Sequence, residues 1–186
     1  MARSFPALDE SAEAALWAGA RSGPSARRQA FDGLFRALRE PVLALCLHLT
    51  GRRSDAEDAL QETFLSAYRA LPFFRGEARF STWVYRIALR AALRVRSRRR
   101  PGEQLHDEIP GGGGEAAMAA RDEVRQVAAA MARLPAEQRA VLSLFAVEGL
   151  SHAQIAQVLG VPEGTIWSRL HAARKRLAAE MGGEGG

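Results

Sequence analysis

The sequence is short of several things that would each commit it to a class. It has one cysteine, Cys46, so no disulfide can form within the chain, as suits a reducing cytoplasm. That cysteine lies in the apolar run Val42-Leu43-Ala44-Leu45-Cys46-Leu47 and reads as a small buried hydrophobe. With only His48 nearby it makes no zinc site. No apolar run approaches the length that spans a bilayer. Met1–Glu10 lacks the apolar segment of a signal peptide. The four histidines, His48, His106, His152 and His171, are scattered without Ser/His/Asp or metal-ligand spacing. The run Gly111–Gly114 has neither the strand nor the lysine of a phosphate cradle. No strand pattern and no internal repeat is visible. These absences predict a cytoplasmic chain that is all-α, is not an enzyme and uses no metal or cofactor.

Lysine is scarce too: of 26 basic residues only Lys175 is not arginine. Arginine pairs bidentately with phosphate and guanine better than lysine does, although genome composition explains the skew equally well. The 186 residues, 47% of them hydrophobic, suffice for one or two small domains with cores of their own. The net charge of +5 is uneven. Residues 25–100 carry 16 arginines against 7 acids, residues 101–132 carry 2 against 6, and residues 133–180 carry 6 basic against 4 acidic groups. Two basic blocks flanking an acidic connector point to a polyanion held at two places.

Periodicity divides the chain into a leader (1–24), a helical domain (25–100), a flexible linker (101–117), a second helical domain (118–180) and a glycine-rich tail (181–186). The leader has weak helical character over Ala12–Ala20. In the first domain Pro41 predicts a break, with a separate helix over Val42–Leu49. Ser54 and Glu57 have capping-box spacing and open a helix with Ala56, Ala59, Leu60, Phe64, Leu65 and Tyr68 on its apolar side. After a loop, Phe73–Arg79, a long helix covers roughly Phe80–Arg98.

Between Ser81 and Gly102 there are seven arginines and no acid. Arg86, Arg90 and Arg94 share one helix face at i, i+4 and i+8, where like charges repel unless a polyanion neutralises them. Trp83 and Tyr85 start the same helix, beside Phe73, Phe74 and Phe80. Aromatics beside a basic stripe suit stacking on unpaired bases, although some of these rings must be core. The preceding helix has the opposite character. Asp55 and Glu57 suit a helix N-terminus, whereas Asp58, Gln61 and Glu62 form an acidic surface that fits either a basic protein partner or plain solubility.

The last third carries a helix-turn-helix. Ser151 and Gln154 form a capping box, and Ile155, Ala156 and Leu159 line one face. Gly160 permits a left-handed turn, and Pro162 suits the next helix start. Ile166 and Leu170 bury that second helix. Glu163, Trp167, Ser168, His171, Arg174 and Lys175 form a face that a major groove accepts.

Four motifs, in order, resemble the extracytoplasmic-function (ECF) group of bacterial sigma-70 factors. They are Asp55-Ala56-Glu57-Asp58-Ala59-Leu60-Gln61-Glu62-Thr63-Phe64; Phe74-Arg75-Gly76 with Phe80-Ser81-Thr82-Trp83-Val84-Tyr85-Arg86-Ile87-Ala88; Leu134-Pro135-Ala136-Glu137-Gln138-Arg139; and Gly164-Thr165-Ile166-Trp167-Ser168-Arg169-Leu170-His171-Ala172-Ala173-Arg174. The resemblance implies two small helical domains, the second a helix-turn-helix. It implies a factor that binds core RNA polymerase and directs promoter-specific transcription initiation. The alternatives are a stand-alone helix-turn-helix regulator, or a sigma mimic that sequesters an anti-sigma factor. By the same resemblance Asp55, Asp58, Gln61, Glu62 and Phe64 would dock on the beta-prime clamp helices. Phe74, Arg75, Arg79, Phe80, Trp83, Tyr85, Arg86, Arg90 and Arg94 would hold the −10 strand. Glu163, Thr165, Trp167, Ser168, Arg169, His171, Arg174 and Lys175 would meet the −35 element. Residues 101–117 would thread along the polymerase, and an anti-sigma factor is an expected protein partner. Relatives often carry Asn at the position of Arg90, Asp at that of Arg94, and Lys or Arg where Trp167 stands.

Overall fold

A proline in a first turn lacks only an amide hydrogen that would have no partner there, and Pro24 opens α1, Pro24–Thr50, in this way. The break expected at Pro41 does not occur: one helix passes through it. An interior proline costs about 3 kcal/mol. Leu34 and Leu38 before it, and Val42, Leu45, Cys46 and Leu49 after it, form one unbroken buried stripe. At roughly 1.5–3 kcal/mol for each fully buried aliphatic side chain, the stripe outweighs the proline. The computed structural model describes residues 14–15, 17–19, 22–76, 78–98, 126–146 and 149–182. The expected linker, 101–117, lies outside them, as do residues 183–186 of the tail.

Helix α2, Arg53–Ala70, starts after Arg52 with no side-chain cap, which corrects the capping box expected at Ser54. The helix begins one residue ahead of Ser54, so that hydroxyl sits inside the first turn. Glu57 instead pairs with Arg53 one turn back, Nε to Oε1 at 2.9 Å. A single 3-10 turn, Leu71–Phe73, leads into the loop before α3, Phe80–Ser97. The three helices pack on one another. Ala56, Ala59, Ala88 and Ala92 are all buried between them, and small side chains let helix axes approach closely.

The second lobe begins with a helix over 126–133 (α4), followed by α5, Ala136–Ala146, α6, His152–Leu159, and α7, Glu163–Glu180. The capping box forms as its spacing predicts: Ser151 Oγ accepts from Gln154 N at 3.3 Å, and Gln154 Oε1 accepts from Ser151 N at 2.8 Å. Gly160 ends α6 at φ 68, a left-handed conformation that glycine adopts without strain. Ile155, Val158, Ile166, Leu170 and Ala173 are buried where α6 and α7 meet. No strand occurs among the described residues.

The lobes touch along two seams, α1 against α5 and α3 against α6. The first seam holds Arg139, only 1% exposed. Its guanidinium donates to Met131 O (2.7 Å), Leu49 O (3.0 Å), Leu134 O (2.7 Å) and Ala132 O. A buried cation needs charge or dipole compensation. Here it comes from carbonyls that close the ends of α1 and α4, the negative ends of helix dipoles. Arg96 of α3 bonds two of the same carbonyls, Leu49 O (3.1 Å) and Ala132 O (3.3 Å).

Candidate nucleic-acid interface

Three surfaces carry the candidate residues. On α2, Asp58 and Gln61 are exposed, while Asp55 and Glu62 are half-buried. These four line a depression of about 670 Å³ together with Arg94 and Arg98 of α3. Glu62 forms an ion pair with Arg94, so a residue marked for polymerase and one marked for promoter DNA are direct neighbours. Phe64 is buried and packs its ring on Phe35 at 4.7 Å. It therefore backs the acidic face rather than presenting surface, because the apolar side of α2 carries it into the core. Leu65, 49% exposed, and Tyr68 turn outward instead. With Phe31, Phe35, Leu60 and Phe64 they border an apolar groove of about 350 Å³.

The second surface is the loop before α3 and the face of α3 itself. Phe74 is half-buried, within 4.8 Å of both Phe80 and Trp83 between ring centroids. Phe80 is buried, and Tyr85 has no exposed surface at all. Both were expected at the DNA surface, yet both rings point into the three-helix core. Period alone could not assign them a side, since Trp83 and Tyr85 fall on opposite faces of one turn. The most exposed ring of the loop is Phe73, at 81%, next to exposed Arg75 and Arg79. The 3-10 turn sets Phe73 outward, a feature that a bare Phe-Phe pair does not reveal.

The arginine stripe of α3 is partly neutralised from within. Arg86 Nε donates to Gln157 O of α6 at 2.8 Å, and Arg94 pairs with Glu62, while Arg90 is exposed. The repulsion expected along the stripe is thus reduced by a helix-end carbonyl and a carboxylate.

The third surface is α7. Glu163, Trp167, Ser168, His171, Arg174 and Lys175 are all exposed, and Thr165 is half-buried. Trp167 is 60% exposed, and its ring lies 4.1 Å from that of His152, which stacks on Phe145 at 5.3 Å. The guanidinium of Arg174 lies over the Phe145 ring at 5.0 Å. Ser168 Oγ donates to Thr165 O at 3.0 Å. Arg169 turns inward and pairs with Glu137 of α5 at 2.7 Å, fixing α7 to its scaffold. The stack joins Phe145 of α5, His152 of α6 and Trp167 of α7, so it depends on how three helices pack.

Among the described residues no group of three metal-ligating side chains occurs, and no described helix is long and apolar enough to cross a membrane.

Residues 34–101 match the family model of sigma-70 region 2, and residues 125–177 match that of sigma-70 region 4. The chain is 41% identical over 164 residues to the ECF RNA polymerase sigma factor SigM of Mycobacterium tuberculosis, covering 83% of this chain and 79% of that one. It is 36% identical over 167 residues to the RNA polymerase sigma-H factor of Pseudomonas aeruginosa, covering 81% and 85%. Among solved structures, CnrH in complex with the cytosolic domain of CnrY superposes with a TM-score of 0.71 at 28% identity, covering 90% of this chain and 96% of that one.

Proposed function

The chain belongs to the extracytoplasmic-function group of sigma-70 RNA polymerase sigma factors, and on that premise we propose how its two lobes divide the work. It is a sigma factor that directs promoter-specific transcription initiation. The acidic face of α2, built on Asp58, Gln61 and Glu62, docks on basic side chains of the beta-prime clamp helices of core polymerase. The loop Phe73–Arg79 and the arginine face of α3 hold the separated strand of the −10 element. Helix α7 enters the −35 major groove, with Trp167, Ser168 and His171 toward bases and Arg174 and Lys175 toward phosphates.

The observation that carries this reading is the α7 face: six exposed residues suited to bases or phosphate on a helix anchored through Ile166, Leu170 and Arg169. A stand-alone regulator would need that face but not the acidic surface of α2. A mimic would need the acidic surface but not the basic residues. The cytoplasm is its place of work. An anti-sigma factor that covers residues 54–69 is its natural inhibitor, a role supported by the pairing of CnrH with CnrY in a structural relative.

The test combines the purified chain with core polymerase on a DNA library of randomised promoters and sequences the transcripts. Initiation at fixed spacing from two shared motifs, only when chain and core are both present, is expected. DNA binding without any effect on core would favour the stand-alone regulator. Binding to neither core nor DNA would favour the mimic.

A further inference from the structure

The leader has no part in the division of work above, yet two of its residues make close contacts with the first lobe. Residues 17–19 are helical. A Cβ on Gly19 would stand 3.2 Å from the Ala30 Cβ and 3.4 Å from Ala26 O, so this segment crosses α1 in close contact. Ser22 closes the segment, its Oγ donating to Ala18 O at 2.7 Å.

The segment delivers Trp17 to the loop before α3. Its ring meets Phe74 edge-on at 5.0 Å and 79°. It also covers Gly76: at φ +76 a Cβ there would lie 3.4 Å from Trp17 Cη2. Phe74 is thereby ringed by three aromatics at 4.8–5.0 Å, Phe80, Trp83 and Trp17. The first two are fixed by α3, whereas the third is brought by a short segment from outside the domain.

We propose that Trp17 is a resident stand-in for an unpaired base. Its ring fills the position beside Phe74 that a base from the separated strand takes, and it leaves when that base arrives. The proposal rests on the reading above, in which this loop holds single-stranded DNA. An edge-on aromatic pair and a base stacked on an aromatic ring have similar strengths, so the exchange is nearly balanced. The phosphates of an extruded strand, drawn to exposed Arg75 and Arg79, tip it toward DNA. A base still paired in duplex keeps its own stacking and does not displace the ring. The leader thus raises the threshold for strand capture and favours DNA that is already open.

The test measures anisotropy of a fluorescein-labelled 12-nucleotide single strand of randomised sequence, since stacking tolerates any base. It is titrated with core polymerase carrying the wild-type chain, Trp17→Ala, Trp17→Phe, or a chain lacking residues 1–22, with core alone subtracted. Trp17→Ala and the truncation should bind about two- to tenfold tighter, the factor that corresponds to one aromatic pair. Trp17→Phe should fall between them and wild type. Core affinity should not change in any variant. Equal or weaker strand binding by Trp17→Ala, or any other order of the series, overturns the proposal, because a ring that merely supports the loop can only weaken binding when removed. Failure of the wild-type chain to bind core would instead strike the sigma-factor reading itself.

Discussion

In the second lobe the exposed face of α7 stands clear of its own core, and its largest side chain, Trp167, rests on a stack formed by His152 and Phe145. In the first lobe the candidate rings pack on one another, and two of three stripe arginines are already bonded, Arg86 to α6 and Arg94 to Glu62. The two tasks differ in what the DNA offers. A duplex presents base edges in an open groove, so a preformed helix can read it without changing shape. An unpaired base offers a flat apolar face, and rings waiting for it would leave apolar surface exposed to water. Packing Phe74, Phe80 and Trp83 together keeps much of that surface from water. On the proposed division of work, the contrast is one of preformed reader and covered platform, on lobes joined by Arg139.

The largest effect tests whether the lobes are coupled at all. Replacing Arg139 by Met strands the buried carbonyl of Leu134, at about 1–3 kcal/mol for a buried group left unsatisfied, and takes a charge-assisted hydrogen bond from Met131 O, Ala132 O and Leu49 O, which keep other partners. A loss of at least roughly 3 kcal/mol is expected in urea unfolding, a large share of an ordinary domain's stability. Arg96→Met should lose less, because Arg96 is only half-buried and its two carbonyls keep Arg139. Similar losses in both variants would mean that the buried guanidinium does not dominate the seam.

Next comes the acidic face. Asp58→Lys places like charge against the basic surface expected on polymerase, a change that costs several kcal/mol at a close interface. Core binding should fall by about a hundredfold with helical content intact. Glu62→Gln should weaken core binding less and release Arg94 toward DNA, tightening single-strand binding. Unchanged core affinity in Asp58→Lys would remove α2 from the docking surface.

A smaller effect separates phosphate from base contacts on α7. Arg174→Ala should weaken binding to all −35 sequences alike and reduce the salt slope by about one unit. Ser168→Ala or His171→Ala should change sequence preference and leave the slope alone. Arg174→Ala also removes the cation–π contact over Phe145, at about 0.5–1 kcal/mol for an exposed pair, a loss that shows in unfolding rather than in DNA affinity. A preference shift from Arg174→Ala with an unaltered slope would exchange these roles.

The same contrast explains what was legible in the sequence. Helix positions, the capping box of α6, the turn at Gly160 and the exposed face of α7 all follow from local rules, because period and caps act within a few residues. Pro41 misled because its cost is local, while the stripe that overrides it is tertiary. Ser54 misled because a cap depends on where the helix starts, which packing shifts by a residue. The burial of Tyr85 depends on the helices packed around it, Arg139 reaches back 90 residues to Leu49 O, and a 3-10 turn sets Phe73 outward. Their sequence signals, aromatics and an arginine in helices, read equally well as surface. The motifs that resemble sigma factors marked the candidate regions, but only packing sorted rings that touch solvent from rings that support them.

The smallest expected effect lies at the end of α1, one residue before the carbonyl that Arg139 and Arg96 share. Burial holds the His48 imidazole below its ordinary pKa, partly opposed by the hydrogen bond from Nδ1 to Ala44 O at 2.6 Å. The folded chain therefore binds this proton less readily than the unfolded one. The contribution to stability is complete above the unfolded value of 6.5 and declines as pH falls from there through the lower folded value. Thermal midpoints measured from about pH 7.5 to about pH 5.5 should fall further in wild type than in His48→Gln, which keeps a donor but cannot titrate. Burial at the end of α1 opposes protonation, so the excess loss should shrink in an Arg139→Met background, where Leu49 O beside it loses its bond to the buried guanidinium. Parallel pH profiles for wild type and His48→Gln would take His48 out of the seam. An excess loss of the same size in both backgrounds would confine its effect to the first lobe.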